Sequence, residues 1–440
     1  MTRSLDDALA TVDAARPVRA LGRVTEVTGL VIRALVPGIR LGEVVEIDRA
    51  PMPPLGAEVV GFRGEEAVLM PLGEPRGVGP ACAVRPTGRP FTIRCGAALL
   101  GRVLDGLGLP CDGRPPPEPR ELETWEVDRP APDPLTRARI LRPLVTGVRA
   151  IDALLTLGEG QRVGLFAGSG VGKSTLLGQL ARSSAADVNV ICLVGERGRE
   201  VRDFIEEALG PAGLARSVVI CATSDAPSLV RLKSTYVATA VAEWFRDRQG
   251  ARVLLLMDSV TRFARAQREV GLAAGEPPTR QGYPPSVFAA LPRLLERTGC
   301  AARGSITALY TVLVAGGDME EPIADEVRGI LDGHIVLDRA IAERNRWPAI
   351  DLLASLSRVM PQITEASQRD AAGRLRELLA AYERQRDLIL LGAYKAGSDR
   401  RVDEAIARLP GIEAFLRQGT HETTPLAETL ARLAQLVPKG

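Results

Sequence analysis

The sequence predicts an α/β core built on a parallel sheet, preceded by a small β-barrel or sandwich and followed by an α-helical domain. Three patterns along the 440 residues predict this fold class. Residues 20 to about 90 alternate apolar and polar side chains at a period of two, which indicates short strands. From about 145 to 365, short apolar runs alternate with amphipathic stretches, as in a sheet covered by helices on both faces. Beyond 365 the chain is rich in Ala, Leu, Arg and Glu at helical spacing.

These patterns divide the chain into four segments. We expect a short helix or loose tail at 1–20, the β-barrel at 21–92, the α/β core at 93–365 and the helical domain at 366–440. Within the barrel segment, the alternating runs are Arg23–Val27, Leu30–Leu35 and Gly42–Ile47, separated by turn residues at Pro37-Gly38 and Pro51–Gly56.

Five apolar runs predict the strands of the core: 161–166, 188–194, 217–223, 253–257 and 306–314. Two stretches rich in Gly and Pro, Gly101–Pro119 and Asp128–Pro134, are predicted to be connecting loops with little regular structure.

Composition excludes several function classes. A net charge of +2, from 56 basic and 54 acidic residues, argues against a nucleic-acid binder that works mainly by electrostatics. The chain has no run long and apolar enough to span a bilayer, and its first residues do not follow the plan of a signal peptide, so we expect a cytoplasmic protein. Its six cysteines are predicted to be buried or partly buried free thiols in a reducing compartment. With two histidines, histidine-based metal sites and Ser-His catalysis are nearly excluded, which leaves carboxylates, Lys, Arg and a bound metal.

Residues 167–174 read Ala-Gly-Ser-Gly-Val-Gly-Lys-Ser, the pattern of a phosphate-binding loop. Glycines let backbone N–H groups turn toward phosphate oxygens, and the start of a helix adds its positive dipole end. A chance match is conceivable in a chain with 44 glycines, but the strand-like run before the loop and the helix-like run after it argue against one. The residues expected to bind a nucleoside triphosphate are Gly168, Ser169, Gly170, Val171, Gly172, Lys173, Ser174 and Thr175. Lys173 can reach the β- and γ-phosphates, and the Ser174 hydroxyl can hold Mg²⁺.

Two carboxylates follow predicted strands, at the sheet edge where ligands bind in parallel α/β folds. Asp258 ends the run Val253–Met257, a position that suits a carboxylate in the Mg²⁺ shell, although a buried Asp that caps a turn is the alternative. Glu196 follows the run Ile191–Val194, where it could polarise the water that attacks the γ-phosphate. Taken alone, such a Glu would more often be a helix cap or a surface residue.

Three motifs, Gly195–Val201, Asp258–Arg268 and Gly275–Phe288, resemble those of the type III secretion ATPases, which are hexameric relatives of the catalytic subunit of rotary ATP synthases. The resemblance covers nearly the whole chain. Within the family, Ile32–Arg40 and Gln418–Glu422 are more similar to the injectisome branch than to the flagellar one.

The resemblance implies a RecA-like P-loop NTPase core that uses ATP and Mg²⁺. It also implies roles for single residues, in addition to Lys173, Ser174, Glu196 and Asp258. Arg197 and Arg262 match basic residues near the γ-phosphate, and Arg358 matches an arginine finger delivered into the neighbouring subunit. Trp347 falls where the family usually places a Tyr against the adenine ring, and Trp stacks at least as well.

By the same resemblance, we expect a homohexamer at the cytoplasmic face of the inner membrane. Its expected partners are a central coiled-coil stalk, a stator-like regulatory protein bound by residues 1–20, secretion chaperones with their export substrates, and indirectly the membrane export gate. Four prolines and two glycines predict that Gly275–Phe288 is a loop without helix or strand, and the resemblance implies that this loop faces the ring axis.

Other functions fit the same core less well. The flagellar export ATPase is the close alternative. A rotary synthase subunit would carry an acidic C-terminal lever motif, which this chain lacks. A hexameric RNA translocase would need an aromatic-rich platform in the barrel, where residues 20–90 hold the single aromatic Phe62. A non-catalytic scaffold is disfavoured because no motif residue is missing.

Overall fold

The computed structural model describes residues 21–437 and divides into two compact units. The first contains the described residues up to Phe91 together with Glu269–Glu276, and the second contains Thr92–Arg268 and the chain from Pro277 onward. The helix or tail expected at residues 1–20 lies outside the described residues. Among residues 21–437, no helix is long and apolar enough to cross a membrane. All six cysteines are free thiols, as predicted, and all but Cys111 are buried or partly buried; Cys111 is exposed because it lies in the loop that follows β8.

The first unit is a closed six-stranded barrel with the order β1-β2-β5-β4-β3-β6. Its strands are β1 (Gly22–Thr28), β2 (Val31–Leu35), β3 (Glu43–Arg49), β4 (Met52–Arg63), β5 (Glu66–Pro71) and β6 (Ala83–Pro90). The alternation predicted from the sequence places one side chain in two inside the barrel: Val45 and Ile47 on β3 are fully buried, while Glu46 between them is exposed. The barrel is therefore confirmed, and closure leaves the sheet no free edge.

The second unit is built on a nine-stranded sheet. The strands of this unit are β7 (Thr92–Cys95), β8 (Arg102–Asp105), β9 (Glu123–Glu126), β10 (Pro143–Leu144), β11 (Leu157–Gly158), β12 (Arg162–Ala167), β13 (Val188–Val194), β14 (Ser217–Ala222), β15 (Arg252–Asp258), β16 (Gly299–Cys300), β17 (Ser305–Leu313), β18 (Gly333–Leu337) and β19 (Ile350–Ser357). The order across the sheet is β19-β18-β12-β17-β15-β13-β14-β8, while β16 pairs with β17 outside this path. Neighbours from β18 to β8 are parallel, and β19 runs antiparallel to β18. Each of the five predicted runs overlaps one of these strands, so the parallel α/β core is confirmed.

One predicted loop contains a strand. Gly101–Pro119 was expected to lack regular structure, but β8 lies within it and pairs with β14 at the sheet edge. Its four residues are too few to show a periodic pattern among so many glycines and prolines, and the neighbouring strand β14 supplies the hydrogen bonds that a sequence window cannot show. The second predicted loop, Asp128–Pro134, has no helix or strand.

Helices cover the sheet, and this is why its central strands are mostly apolar. The helices are α1 (Arg149–Leu154), α2 (Lys173–Ser183), α3 (Gly198–Asp203), α4 (Gly210–Ala215), α5 (Ser228–Gln249), α6 (Val260–Ala274), α7 (Pro285–Leu295), α8 (Pro322–Ile330), α9 (Arg339–Glu343), α10 (Met360–Ile363), α11 (Ala366–Leu390), α12 (Arg400–Leu416) and α13 (Leu426–Leu436). Every residue of β13 is buried, as expected for a parallel strand covered on both faces.

The C-terminal segment is helical, as predicted, over its described part. Its apolar side chains, such as Leu375 on α11 and Ile412 on α12, belong to the same hydrophobic core as Ile151 of α1 and Leu176 of α2. The segment therefore shares one hydrophobic core with α1 and with α2, the helix that follows the phosphate loop.

The expectation that Gly275–Phe288 lacks helix is wrong at its end, because α7 begins at Pro285. A short 3₁₀ turn also spans Arg280–Gly282. Proline is well tolerated in the first turn of a helix, where its missing N–H needs no partner, so the prolines here open a helix rather than prevent one. The prediction that this segment faces a ring axis is untested.

Candidate active site

The phosphate loop joins the buried strand β12 to helix α2, which begins at Lys173. Gly170 and Gly172 have φ angles of 78° and 82°, in the left-handed region where side chains are strained. A Cβ atom on Gly172 would also lie 2.6 Å from Cζ3 of Trp347, which no real contact allows. Both constraints require glycine. The unpaired N–H groups at the start of α2 then provide the anion site that the sequence predicts.

Lys173 lies between two carboxylates. Its Nζ is 2.5 Å from Oδ1 of Asp258 and 3.7 Å from Oε1 of Glu196. The three side chains come from three places in the chain, and the parallel sheet brings them together because all of its carboxyl-terminal strand ends meet at one edge. The structure thus assembles the three residues that the sequence singled out.

Asp258 is the last residue of β15, and its side chain is 4% exposed. The Thr311 hydroxyl on the adjacent strand β17 donates a hydrogen bond of 2.8 Å to Oδ1 and so fixes the carboxylate. Thr311 is not among the residues predicted from the sequence, where the available signal was a hydroxyl within an apolar run. Thr311 is fully buried: its hydroxyl is bonded to Asp258, and its backbone belongs to the ladder between β17 and β12.

The donor set fits Mg²⁺. The Asp258 carboxylate and the Ser174 hydroxyl, which is exposed at the first turn of α2, are hard oxygen ligands of the kind that Mg²⁺ prefers. Lys173 joins the two positions, since it precedes Ser174 in the chain and contacts Asp258 directly. We expect Mg²⁺ to bind here through these two residues together with phosphate oxygens.

Glu196 occupies a partly buried position at the end of β13. Burial, with the nearby charge of Asp258, raises the pKa of Glu196 to about 7, while the Lys173 ammonium opposes the shift. Its backbone is fixed as well, because Gly195 N donates to Ala222 O (2.6 Å) and Ser224 N donates to Glu196 O (3.0 Å). A carboxylate with a pKa near neutrality and a fixed backbone suits the acceptance of a proton from water.

The two basic residues expected near the γ-phosphate lie in different surroundings. The Arg262 side chain packs against Gly195, and its buried Nε has no hydrogen-bond partner among the described residues. Arg197 instead bonds Glu200 at 3.2 Å, and its side chain is 79% exposed. The structure therefore brings Arg262 to Glu196 and leaves Arg197 outside the cluster.

Trp347 forms one wall of a cavity of about 310 Å³ beside the phosphate loop. The cavity is lined by Gly170, Gly172, Thr175, Leu176, Gln179, Trp347, Pro348, Gln418 and Thr420. Its lining is mostly apolar with a few amides and hydroxyls, which is typical of a site for a planar base. Trp347 thus lies beside the phosphate loop, and its contact with an adenine ring stays a prediction.

Part of this cavity comes from the C-terminal segment, which the sequence analysis used only to compare branches of the family. Gln418 N donates to Trp347 O (2.7 Å), and the Gln418 side chain bonds Gly147 O (2.7 Å) and Arg149 N (2.8 Å). Arg149 in turn bonds the side chains of Glu422 and Thr424. A loop that follows α12 is therefore fixed against the phosphate-loop region by buried polar contacts.

Arg358 lies near the amino-terminal ends of the parallel strands, whereas the phosphate loop lies at their carboxyl-terminal ends. Ala167, where the phosphate loop starts, is level with Leu337 of β18, whereas Ser357 of the antiparallel strand β19 is level with Gly333. Gly333 and Leu337 are four positions apart on β18, which corresponds to roughly 13 Å along the strand. Arg358 N donates to Asp332 O (3.0 Å), and its side chain is exposed. The structure does not bring Arg358 to the phosphate loop of its own chain.

Comparison with known proteins places these features in one family. Residues 24–88 match the β-barrel domain of the ATP synthase alpha/beta family, 147–357 match its nucleotide-binding domain, and 364–435 match the T3SS EscN ATPase C-terminal domain. A type 3 secretion system ATPase of Xanthomonas euvesicatoria is 56% identical over 95% of this chain and 94% of its own length. A flagellum-specific ATP synthase of Bacillus subtilis is 52% identical over 99% of this chain and 98% of its own.

Solved structures show the same fold. The assembled ATPase EscN from the type III secretion system of enteropathogenic E. coli matches with a TM-score of 0.89 at 45% identity, over 94% of this chain and all of that one. EscN in complex with its central stalk EscO matches with a TM-score of 0.87 over the same share.

The first prediction separates nucleotide binding from hydrolysis. We expect Glu196→Gln to bind ATP normally and to lower turnover by roughly 10²–10⁴-fold, because the amide keeps the shape but cannot accept a proton from water. Steady-state ATPase rates and equilibrium binding of a fluorescent ATP analogue measure the two effects. Lys173→Ala is the comparison: it should lose turnover through the phosphate contact itself. Near wild-type turnover in Lys173→Ala, or loss of ATP binding in Glu196→Gln, would contradict these roles.

The second prediction concerns the base pocket. Stacking of a base on an aromatic ring is worth about 1–3 kcal/mol, so Trp347→Ala should weaken ATP binding by roughly 5- to 150-fold. Trp347→Tyr should retain most of the affinity. Inorganic tripolyphosphate, which has no base, should bind all three proteins equally in a competition assay. If Trp347→Ala weakened tripolyphosphate as much as ATP, the side chain would support the phosphate loop rather than the base.

Proposed function

The chain belongs to the family of type III secretion and flagellum-specific ATPases, and we propose that it hydrolyses ATP with Mg²⁺ to energise protein export through an injectisome. The observation that carries the proposal is the meeting of Lys173, Asp258 and Glu196 at the end of the phosphate loop. An ammonium for phosphate, a carboxylate for the metal and a second carboxylate for water are the groups that phosphoryl transfer to water requires.

Each residue has a distinct task in this reaction. Lys173 and the N–H groups at the start of α2 bind phosphate oxygens and oppose the charge that develops in the transition state. Glu196 orients the attacking water and takes up its proton, which its raised pKa favours. Arg262 offers its unpartnered Nε to the same phosphate. Mg²⁺, when bound by Ser174 and Asp258, would neutralise charge on the β- and γ-oxygens.

One chain does not complete the site. Arg358 lies at the sheet edge opposite to the phosphate loop, so we propose that it serves the nucleotide of an adjacent subunit in a homohexamer. The EscN neighbours are described as assembled, and one of them is in complex with a central stalk. This chain is 45% identical to them over their full length. By analogy, a coiled-coil stalk is the partner we propose for the inside of the ring.

The remaining partners are proposals from the family alone. Residues 1–20 would bind a stator-like protein that holds the ring at the cytoplasmic face of the inner membrane, near the export gate. Secretion chaperones and their export substrates would be the cargo. The injectisome branch is favoured by 56% identity to a type 3 secretion system ATPase, against 52% to a flagellum-specific relative. The flagellar function is the second candidate, because that relative matches along 99% of this chain.

The trans role of Arg358 gives the third prediction. Arginine fingers contribute roughly 10³–10⁵ in rate, so Arg358→Ala should bind ATP yet scarcely hydrolyse it. Rings mixed from Arg358→Ala and Lys173→Ala chains should regain turnover, because some interfaces then pair an intact phosphate loop with an intact finger. ATPase rates of the mixture are compared with those of each variant alone. Mixed rings that form, as shown by tagged co-purification, but stay inactive would contradict a finger acting in trans.

The branch gives the fourth prediction, which is tested in the source organism. Replacing the gene by its Glu196→Gln form removes hydrolysis without removing the protein, so secretion of injectisome substrates should be abolished. Flagellar filaments should stay intact, because in this proposal the protein does not serve flagellar export. Immunoblots of culture supernatants and a motility assay measure the two outcomes. Loss of filaments with normal injectisome secretion would select the flagellar function.

A further inference from the structure

Strand β19, which leads to Arg358, contains a large bulge. Val336 of β18 pairs with Asp351 and His334 pairs with Leu356, so four residues of β19, 352–355, lie opposite the single residue Ile335. Such an irregularity leaves backbone groups without ladder partners and bends the strand. It also sets the register of the last residues of β19, because those after the bulge return to pairing with β18.

Side chains supply the missing partners within the bulge. Leu353 N and Ala354 N donate to Oδ1 of Asp351, at 2.9 and 3.1 Å. Val336 N, on β18, donates to the Ser355 hydroxyl at 2.9 Å. The carbonyl groups at the two ends of the bulge, on Leu352 and Ser355, point instead toward helix α11.

Arg376 of α11 binds both of these carbonyls. Nη1 donates to Leu352 O (2.6 Å) and to Ser355 O (3.2 Å), and Nη2 donates to Ser355 O and to Leu154 O, both at 3.2 Å. One planar guanidinium therefore ties the start of the bulge to its end, and both to the last residue of α1. The fixed fork of donors makes this possible, since an ammonium is a point charge without that geometry.

Hydrogen bonds to other parts of the chain also fix the two residues that end β19 and follow it, Ser357 and Arg358. The Ser357 hydroxyl donates to Thr156 O (2.8 Å), and Arg358 N donates to Asp332 O (3.0 Å). Ser355, the last residue that Arg376 holds, is three positions before Arg358. A change in the shape of the bulge therefore reaches Arg358 through two intervening residues of strand.

We propose that Arg376 is a positioning residue for Arg358, and that helix α11 thereby sets the geometry of catalysis in the adjacent subunit. This inference rests on the proposed trans role of Arg358. Among the described residues, Arg376 donates only to the carbonyls of Leu352, Ser355 and Leu154, and to no atom of the phosphate loop. Its effect must therefore appear in the turnover of the neighbour and not in the ATP affinity of its own site.

The test starts from Arg376→Met, which keeps the length of the side chain and removes its donors. A misplacement of about 1 Å in a catalytic group can cost 10²-fold, so we expect kcat to fall by roughly 10- to 100-fold, with ATP binding within about twofold of wild type. The kcat of Arg376→Lys should lie between those of wild type and Arg376→Met, because lysine keeps the charge but cannot bind three carbonyls together. Arg384→Met is the matched control: Arg384 lies on the same helix, is exposed, and donates to Ala380 O of its own helix.

Mixed rings separate positioning from simple loss of structure. Arg376→Met chains have an intact phosphate loop, and Lys173→Ala chains have an intact Arg376 and Arg358, so rings mixed from the two should recover turnover. Arg358→Ala mixed with Lys173→Ala is the reference for a trans defect. The same mixture with Arg376→Lys serves if Arg376→Met does not assemble.

The outcomes are distinct. Recovery in both mixtures supports the positioning role. Recovery with Arg358→Ala but not with the Arg376 variants overturns the positioning role and leaves the finger in place. Recovery in neither overturns the trans finger and this inference with it. Unchanged kcat in Arg376→Met rings, or an equal loss in Arg384→Met, also overturns the inference.

Discussion

The site depends on the order of strands in one parallel sheet. The phosphate loop follows β12, Asp258 ends β15 and Glu196 follows β13, and parallel pairing brings these ends to one edge. Partial burial of charge costs several kcal/mol per ion unless partners compensate, and here one ammonium faces two carboxylates. Burial and the excess of negative charge raise the pKa of Glu196 to about 7. The cluster therefore favours cations, and a hard dication such as Mg²⁺ complements it.

The phosphate loop, the buried strands and the two carboxylates at strand ends could be predicted because each leaves a pattern within a short stretch of sequence. A phosphate loop needs left-handed backbone at fixed positions, and glycine at 170 and 172 reports that need directly. Buried parallel strands must be apolar, so runs such as 188–194 predict them without any knowledge of their neighbours. Strand ends then predict Asp258 and Glu196, because the topology of a parallel sheet determines where a residue after a strand must lie.

What the sequence could not give comes from contacts between distant segments. Thr311 orients Asp258 only because β17 lies between β12 and β15. Arg197 and Arg262 look equivalent in the motifs, yet Glu200, one turn away, binds the first, and Gly195 lets the second pack against the Glu196 loop. The wall that Gln418 forms beside Trp347 needs the packing of α12, which no window of sequence contains.

The C-terminal segment contacts the rest of the catalytic unit at two places that matter for the site. The loop after α12 reaches the base pocket through Gln418, and α11 reaches the strand of Arg358 through Arg376. Packed cores transmit displacement rather than absorb it, and Leu375 of α11 shares one core with Ile412 of α12. The helical body that contacts the base pocket through Gln418 is therefore the same body that holds the strand of Arg358. If Arg358 serves the adjacent subunit, as we propose, this body contacts both the nucleotide pocket of one site and the strand whose arginine serves the next.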